Sequence, residues 1–374
     1  MAKPIRVGLV GCGSIGQIMH LPHLRQLDAD FELVSICDIS PGVLKHCGER
    51  HNIPPERRFT SIDAFLEKSG LEAVVVSDLL HSDPSIAALK AGCHVMVEKP
   101  MAHSLQECDA MLDAAAKSGK TLMVAYMKRY DPAYEFAQAR VKQRNDAIHV
   151  SAHDFVGPNN SFIADIHDVR SFNDAPNAAE TGKLIATRAE GAVGTLTAVK
   201  KETYLNLLYL CSHDLAILRG LFGSPKRIAG AIVARKGQVF NALLDYGDDL
   251  TGTFEYGFFD LKKFDEVLSV YCKGEVIKVK FPSPFIPYAQ TVVELWEPEG
   301  PGRDERPDKP GLPAGIAGRG FKESIVMPSN DEAFRRELQH FAHCIRTGTK
   351  PRTTPEDGRE DVRLCIEMTK AALG

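Results

Sequence analysis

The chain opens on an arrangement that sharply limits its fold. An apolar run, Ile5 to Val10, is broken only by Arg6 and Gly8 and passes directly into Gly11-Cys12-Gly13-Ser14-Ile15-Gly16. A stretch from Ile15 to Leu27 follows, in which Ile18, Met19, Leu24 and Leu27 recur at helical spacing. Strand, glycine-rich turn and helix in that order form a cradle for a dinucleotide. Gly11 permits the tight turn, Gly13 lets the backbone approach a pyrophosphate, and Gly16 lets helix and strand pack closely, with the phosphates at the helix N-terminus. Asp38 closes the next apolar run, 22 residues after Gly16. A carboxylate there accepts hydrogen bonds from ribose hydroxyls. It would repel a 2′-phosphate and no Arg immediately follows it, so NAD is expected in preference to NADP.

The same alternation continues. Strands are expected at Phe31–Asp38, Leu71–Ser77, His94–Glu98 and Thr121–Ala125, with helices near Pro41–His51, Ile62–Lys68, Pro84–Ala91 and Ser104–Ser118. Such alternation requires crossover connections, hence a doubly wound parallel sheet, a Rossmann fold, with helices on both faces. After Tyr130 the pattern changes. A helix near Pro132–Arg144 leads into segments at Gly194–Lys201, Arg227–Ala234, Ala242–Tyr246, Leu250–Tyr256, Val267–Cys272 and Val276–Phe281 that read as a large, mostly antiparallel sheet. One amphipathic helix, Leu205–Leu221, lies among them. The Pro- and Gly-rich stretch 282–328 reads as a loop, and helices at Glu332–Arg346 and Pro355–Leu373 end the chain. The division expected is residues 1–127 for the dinucleotide-binding α/β domain and 128–374 for an α+β domain with an open-faced sheet.

At 374 residues the chain exceeds one ordinary core, and 44% hydrophobic with 25% charged residues is globular. A formal charge of −4, with Lys and Arg dispersed, gives no surplus for phosphates, so nucleic acid is not expected as a partner. No apolar stretch approaches the roughly 18 residues that span a bilayer, and the first strand begins at Ile5, so the chain reads as cytoplasmic without a membrane partner. Nine scattered cysteines, none at CxxC spacing, read as buried free thiols, and no metal is expected.

Glu98-Lys99-Pro100 ends the fourth predicted strand, at the edge where open α/β sheets bind ligands. A lysine there can hydrogen-bond a substrate hydroxyl and stabilise a developing alkoxide. Together with Gly11–Gly16 and Asp38, the run Ala91-Gly92-Cys93-His94-Val95-Met96-Val97-Glu98-Lys99-Pro100, the segment Met127-Lys128-Arg129-Tyr130-Asp131-Pro132 and the region Thr349–Asp357 resemble the glucose-fructose oxidoreductase/inositol dehydrogenase (Gfo/Idh/MocA) family, nearest its inositol dehydrogenase branch. The resemblance implies an NAD-dependent dehydrogenase acting on a secondary alcohol of a cyclitol, polyol or sugar, assembled as a homodimer or homotetramer. It also implies that Lys99 positions the hydroxyl, often before a cis proline bond. Cofactor contacts implied are Gly11, Gly13, Ser14, Ile15, Gly16, Asp38, Ser77, His81, Glu98 and Lys99. Substrate contacts implied are Lys99, Arg129, Tyr130, Tyr209 and His213. Two alternatives stay open: an NAD-retaining glycosidase or lyase that uses transient oxidation, and a non-catalytic NAD-binding regulator.

Two departures from the family pattern stand out. The family places Asp four residues before a catalytic His, which maps onto Tyr209-Leu210-Cys211-Ser212-His213-Asp214. His213 is expected to be the general base, but Tyr209, neutral at pH 7, replaces the carboxylate that would share its helical face. Asp154, Asp165 or Asp168 can supply that charge, or Tyr209 itself enters the proton relay. Without a partner, His213 is expected to titrate near its reference pKa of about 6.5. The other departure is Val76-Ser77-Asp78-Leu79-Leu80-His81, which keeps His81 but lacks the family's Pro. His20 and His23 read as surface or packing residues.

Overall fold

The computed structural model describes residues 3–374 except 177, 248 and 300–319. A six-stranded parallel sheet forms first, in the order β3-β2-β1-β4-β5-β6, from β1 (Ile5–Val10), β2 (Phe31–Cys37), β3 (Arg58–Phe59), β4 (Ala73–Val76), β5 (His94–Glu98) and β6 (Leu122–Ala125). Val7, Leu9, Val74, Val75, Val95, Val97 and Met96 are fully buried, as strands covered on both faces require. The covering helices are α1 (Leu21–Gln26), α2 (Pro41–Arg50), α3 (Ile62–Ser69), α4 (Ser82–Lys90) and α5 (Leu105–Ser118). The first is preceded by a π-helical turn at Gly16–His20, so the helix expected over Ile15–Leu27 is built of two pieces. All nine cysteines are free and buried.

After α6 (Pro132–Arg144), an eight-stranded sheet is centred on β7 (Ala147–Val156). On one side of it lie β10 (Leu250–Phe258), β9 (Val239–Gly247) and β8 (Arg227–Ala234). On the other lie β11 (Phe264–Cys272), β12 (Glu275–Phe281), β13 (Val292–Pro298) and β14 (Phe321–Val326). β10 runs parallel to β7 and the other pairings are antiparallel. The central strand escaped the sequence reading because its buried positions, Val150, Ala152, Asp154 and Val156, include a carboxylate, which blurs the apolar alternation. Strands β13 and β14 correct the loop expected over 282–328, whose middle lies outside the described residues.

Helices α7 (Asn159–Ile166), α8 (Ala178–Val193), α9 (Ala198–Tyr209) and α10 (Ser212–Phe222) lie between β7 and β8. The strand expected at Gly194–Lys201 is instead the start of α9, because the Thr197 hydroxyl accepts from the Lys200 N–H and caps a helix there. The single helix expected over Leu205–Leu221 is two, broken at Leu210-Cys211. Helix α11 (Ala333–Thr347) returns to the first sheet, where Phe341 stacks on Phe31 with ring centroids 6.5 Å apart. Helix α12 (Pro355–Leu373), started by a Thr354/Asp357 capping box, wedges between α5 and the helices of the second sheet. No described helix is long and apolar enough to cross a membrane.

Candidate active site

The glycine-rich turn is held from both sides. Gly11 has φ +86°, and a Cβ there would lie 2.4 Å from the Asp78 nitrogen, so only glycine fits. Ser77 donates to the Gly11 carbonyl at 2.7 Å, tying the end of β4 to the turn. Gly13 and Ser14 are exposed, and space around a Cβ at Gly13 is open. The Asp38 carboxylate accepts from the backbone N–H groups of Cys12 at 2.7 Å and Ser40 at 2.9 Å, which fixes it beside the turn. Asp78, for which the sequence offered no role, packs against the turn, and burial pushes its carboxyl up to about 7.

At the end of β5, Glu98 is buried and its Oε1 meets His20 Nε2 at 2.9 Å, while Oε2 accepts from the Lys99 N–H at 3.2 Å. His20 is fully buried, and His23 is paired with Glu332 at 3.0 Å, so neither is a surface residue. His81 Nδ1 lies 2.6 Å from the Pro100 carbonyl and the Lys99-Pro100 bond is cis. These contacts aim Lys99 into a cleft of about 260 Å³, where its ammonium donates to the Tyr209 carbonyl. Desolvation, reinforced by Lys128, holds the Lys99 pKa below the ordinary lysine value.

Ile15, Ser77, His81, Glu98, Lys99, Tyr209 and His213 all line this cleft. The nucleotide edge and the catalytic candidates therefore form one continuous site. The helix break alters the expected geometry of Tyr209 and His213, which do not share one uninterrupted helical face. The Tyr209 hydroxyl lies 2.5 Å from His103 Nε2, whereas the His213 ring packs edge-on against Tyr126. His213 Nδ1 is buried and has no hydrogen-bond partner among the described residues. Burial, with Lys99 and Lys128 nearby, drives the His213 pKa well below its ordinary value, correcting the expectation of a value near the reference.

Arg129 and Tyr130 do not reach the cleft. Arg129 donates to the Ala216 carbonyl at 3.0 Å and the Tyr130 hydroxyl bonds Thr353 at 2.8 Å, because both side chains pack into the seam with α10 and the segment before α12. The residues of that run that do line the cleft are Met127 and Lys128; Lys128, 4% exposed, ion-pairs with Glu266 and lies 3.8 Å from Asp214. Asp154, Asp214 and Glu266 hold oxygens within 4.8 Å of one another around it. Of the three carboxylates considered as replacements at position 209, only Asp154 lies in the cleft. Asp165 and Asp168 are exposed and pair with Lys262 and Arg170. Burial and the neighbouring Asp214 raise the Asp154 pKa well above its ordinary value, and its Oδ1 has no hydrogen-bond partner among the described residues. Lys128 and Glu266 escaped sequence reasoning, although the strand register that aligns Glu266 with Asp154 marks it as inward-facing.

A protein family described as an oxidoreductase family with an NAD-binding Rossmann fold matches residues 5–126. Over those residues the chain is similar to the Gfo/Idh/MocA oxidoreductase family. Inositol 2-dehydrogenase of Salmonella paratyphi B is 30% identical over 133 residues, 35% of this chain and 39% of that protein. D-glucoside 3-dehydrogenase of Escherichia coli is 27% identical over 147 residues, 39% of this chain and 41% of that protein. The chain thus spans about two fifths of the length of these curated relatives. A 3-ketoreductase of Actinomadura kijaniata, solved with NADP, is 19% identical and covers 99% of this chain and 98% of its own, with a TM-score of 0.70. At that identity the likeness establishes a shared fold across both sheets.

Proposed function

We propose that this chain is a Gfo/Idh/MocA-type, NAD-dependent dehydrogenase acting on a secondary alcohol of a cyclitol, polyol or sugar. The observation that carries the reading is the single cleft onto which Ile15 and Ser77 of the nucleotide edge open together with Lys99, Asp154 and His213. A dinucleotide fits the residues present: the turn is open at Gly13, and the Asp38 carboxylate is fixed beside it. Gly11, Gly13, Ser14, Ile15 and Gly16 hold the pyrophosphate, Asp38 the adenosine ribose, and Ser77, His81 and Glu98 shape the nicotinamide end. When bound, the nicotinamide supplies the acceptor for the carbinol hydride.

Lys99 donates a hydrogen bond to the substrate hydroxyl, and its charge stabilises the oxygen as negative charge develops. His213 takes the hydroxyl proton. Its depressed pKa keeps it neutral at working pH, and with Nδ1 buried, Nε2 is the atom that receives the proton. Asp154 is the carboxyl in the cleft that stands in for the one position 209 lacks; burial and Asp214 push it toward its protonated form, so it acts as a proton-holding group and not as a counter-charge to the imidazolium. The Lys128–Glu266–Asp214 group holds the floor of the cleft rigid and offers polar contacts to a polyhydroxylated substrate.

The test is nicotinamide absorbance with NAD and NADP against a panel of cyclitols, polyols and sugars. Oxidation of at least one, more efficient with NAD, is expected. Asp38→Ala should narrow the preference, because the carboxylate that repels a 2′-phosphate is gone. Turnover with no alcohol of the panel, or tighter binding of NADP, would overturn the reading.

A dimer or tetramer is the expected assembly. Ile232, Leu243 and Ile325, each more than half exposed, lie on the eight-stranded sheet. Strand register sets Leu243 and Ile325 on the face of Ser151, opposite the buried Val150 and Ala152, and apolar surface of this kind is covered by association. Light scattering should give at least twice the 41.0 kDa chain mass at micromolar concentration, and a monomer would contradict it.

A further inference from the structure

The segment that follows α7 crosses from the second sheet to the nucleotide edge of the first. Gln17, at the start of the first helical turn, clamps it: its side-chain amide donates to the Arg170 carbonyl at 2.9 Å and accepts from the Arg170 N–H at 3.0 Å. The same amide donates to the Cys12 carbonyl of the glycine-rich turn at 2.7 Å. Arg50, at the end of α2, donates to the Asp168 carbonyl at 3.3 Å. The segment then lays Phe172 against Gly42, where a Cβ would come 2.6 Å from the ring, so the approach requires glycine. It ends with Asp174 on the first turn of α2. The Asp174 carboxylate accepts from the Ser40 hydroxyl at 2.5 Å and from the Gly42 N–H at 2.7 Å.

Ser40 joins two carboxylates, because its backbone N–H donates to Asp38 Oδ1 at 2.9 Å while its hydroxyl donates to Asp174. An adenosine ribose held by Asp38 would present its 2′ position beside this helix start. Donors at a helix N-terminus are what a 2′-phosphate needs there. Two of them, the Ser40 hydroxyl and the Gly42 N–H, are already taken by Asp174, which also adds a negative charge.

We propose that residues 167–176 form a strap over the adenosine end of the dinucleotide site and that Asp174 is a specificity-determining residue, excluding NADP by occupying the 2′-phosphate position. The inference rests on the dinucleotide reading above and adds to Asp38 a determinant from the other half of the chain. A free ribose 2′-hydroxyl carries no charge and needs no more room than Asp38 leaves, so NAD is unaffected.

The experiment is calorimetric titration of the full chain and of Asp174→Asn and Asp174→Ala with NAD and NADP, and with 5′-AMP and 2′-AMP as probes of the adenosine half. Asp174 is exposed on the strap, so both variants should fold, and thermal melts verify it. Asp174→Asn keeps the shape and removes the charge. It should tighten NADP and 2′-AMP by roughly tenfold, the scale of one partly screened charge contact, while NAD and 5′-AMP stay within about threefold. Asp174→Ala, which also frees the donors, should tighten NADP at least as much. An NADP affinity unchanged in both variants, or an equal gain for both dinucleotides, overturns the strap as a selector while leaving NAD binding intact. A wild type that binds neither dinucleotide overturns the dinucleotide reading, and this inference with it.

Discussion

Lys99→Ala is expected to lower kcat/KM for alcohol oxidation by about 100-fold or more while leaving the fold intact. The ammonium is the cationic donor brought to the junction of the nucleotide edge and the substrate cleft, and alanine removes it without touching the β5 core. The stability side follows from its pKa. Desolvation lowers the folded-state pKa of Lys99 below the unfolded value, so the fold is penalised for carrying the charge at every pH below that shifted value. Removing it should leave Tm at pH 7 unchanged or slightly raised, a result that a merely structural lysine would not give. Steady-state kinetics beside a melting curve checks both parts, and an alanine variant with near wild-type turnover removes Lys99 from the mechanism.

His213 and Asp154 carry the second large effect. His213→Ala should abolish most of the rate, on the order of 100-fold or more, since a positioned general base contributes roughly that much. Asp154→Asn should lower kcat by about tenfold or more, because the amide keeps the shape of the side chain but cannot hold and return a proton. The two groups share one cleft, and the acid limb of the rate profile is assigned to the pair. Asp154 also makes a stability prediction of opposite sign. Its folded-state pKa lies above the unfolded carboxylate value, so ionising it costs stability once pH rises past about 4. Asp154→Asn should therefore raise Tm at pH 7 while losing activity. A variant that loses both activity and stability would mark Asp154 as structural, and an unchanged pH profile in His213→Ala would end its assignment as the base.

The helix break between Tyr209 and His213 explains why the earlier part of this site was easier to read than the later. Gly11–Gly16, Asp38 and Lys99 occupy positions dictated by strand ends and tight turns, where chain direction alone brings residues to one sheet edge. The pairing of positions 209 and 213 assumed a continuous helix, and a kink of one residue pair at Leu210-Cys211 sends the tyrosine to His103 instead. Arg129 and Tyr130 were drawn from the right run but not from its inward-facing position. On the short helical turn Met127–Tyr130 it is Met127 and Lys128 that face the cleft.

The amino-acid order alone determined the parallel sheet, its glycine-rich turn, the carboxylate at the end of β2 and the lysine at the end of β5. Each is a local matter of apolar period, backbone freedom and which residue terminates a strand. Tertiary structure alone decided the rest. Asp154 on β7, Asp214 on α10, Glu266 on β11 and Lys128 before α6 are distant in sequence and meet only when the second sheet closes against the first. Asp174 reaches Ser40 across 134 positions of chain. A charged residue read in isolation looks solvated, and burial, which sets its pKa and its chemistry, belongs to the partners that folding supplies.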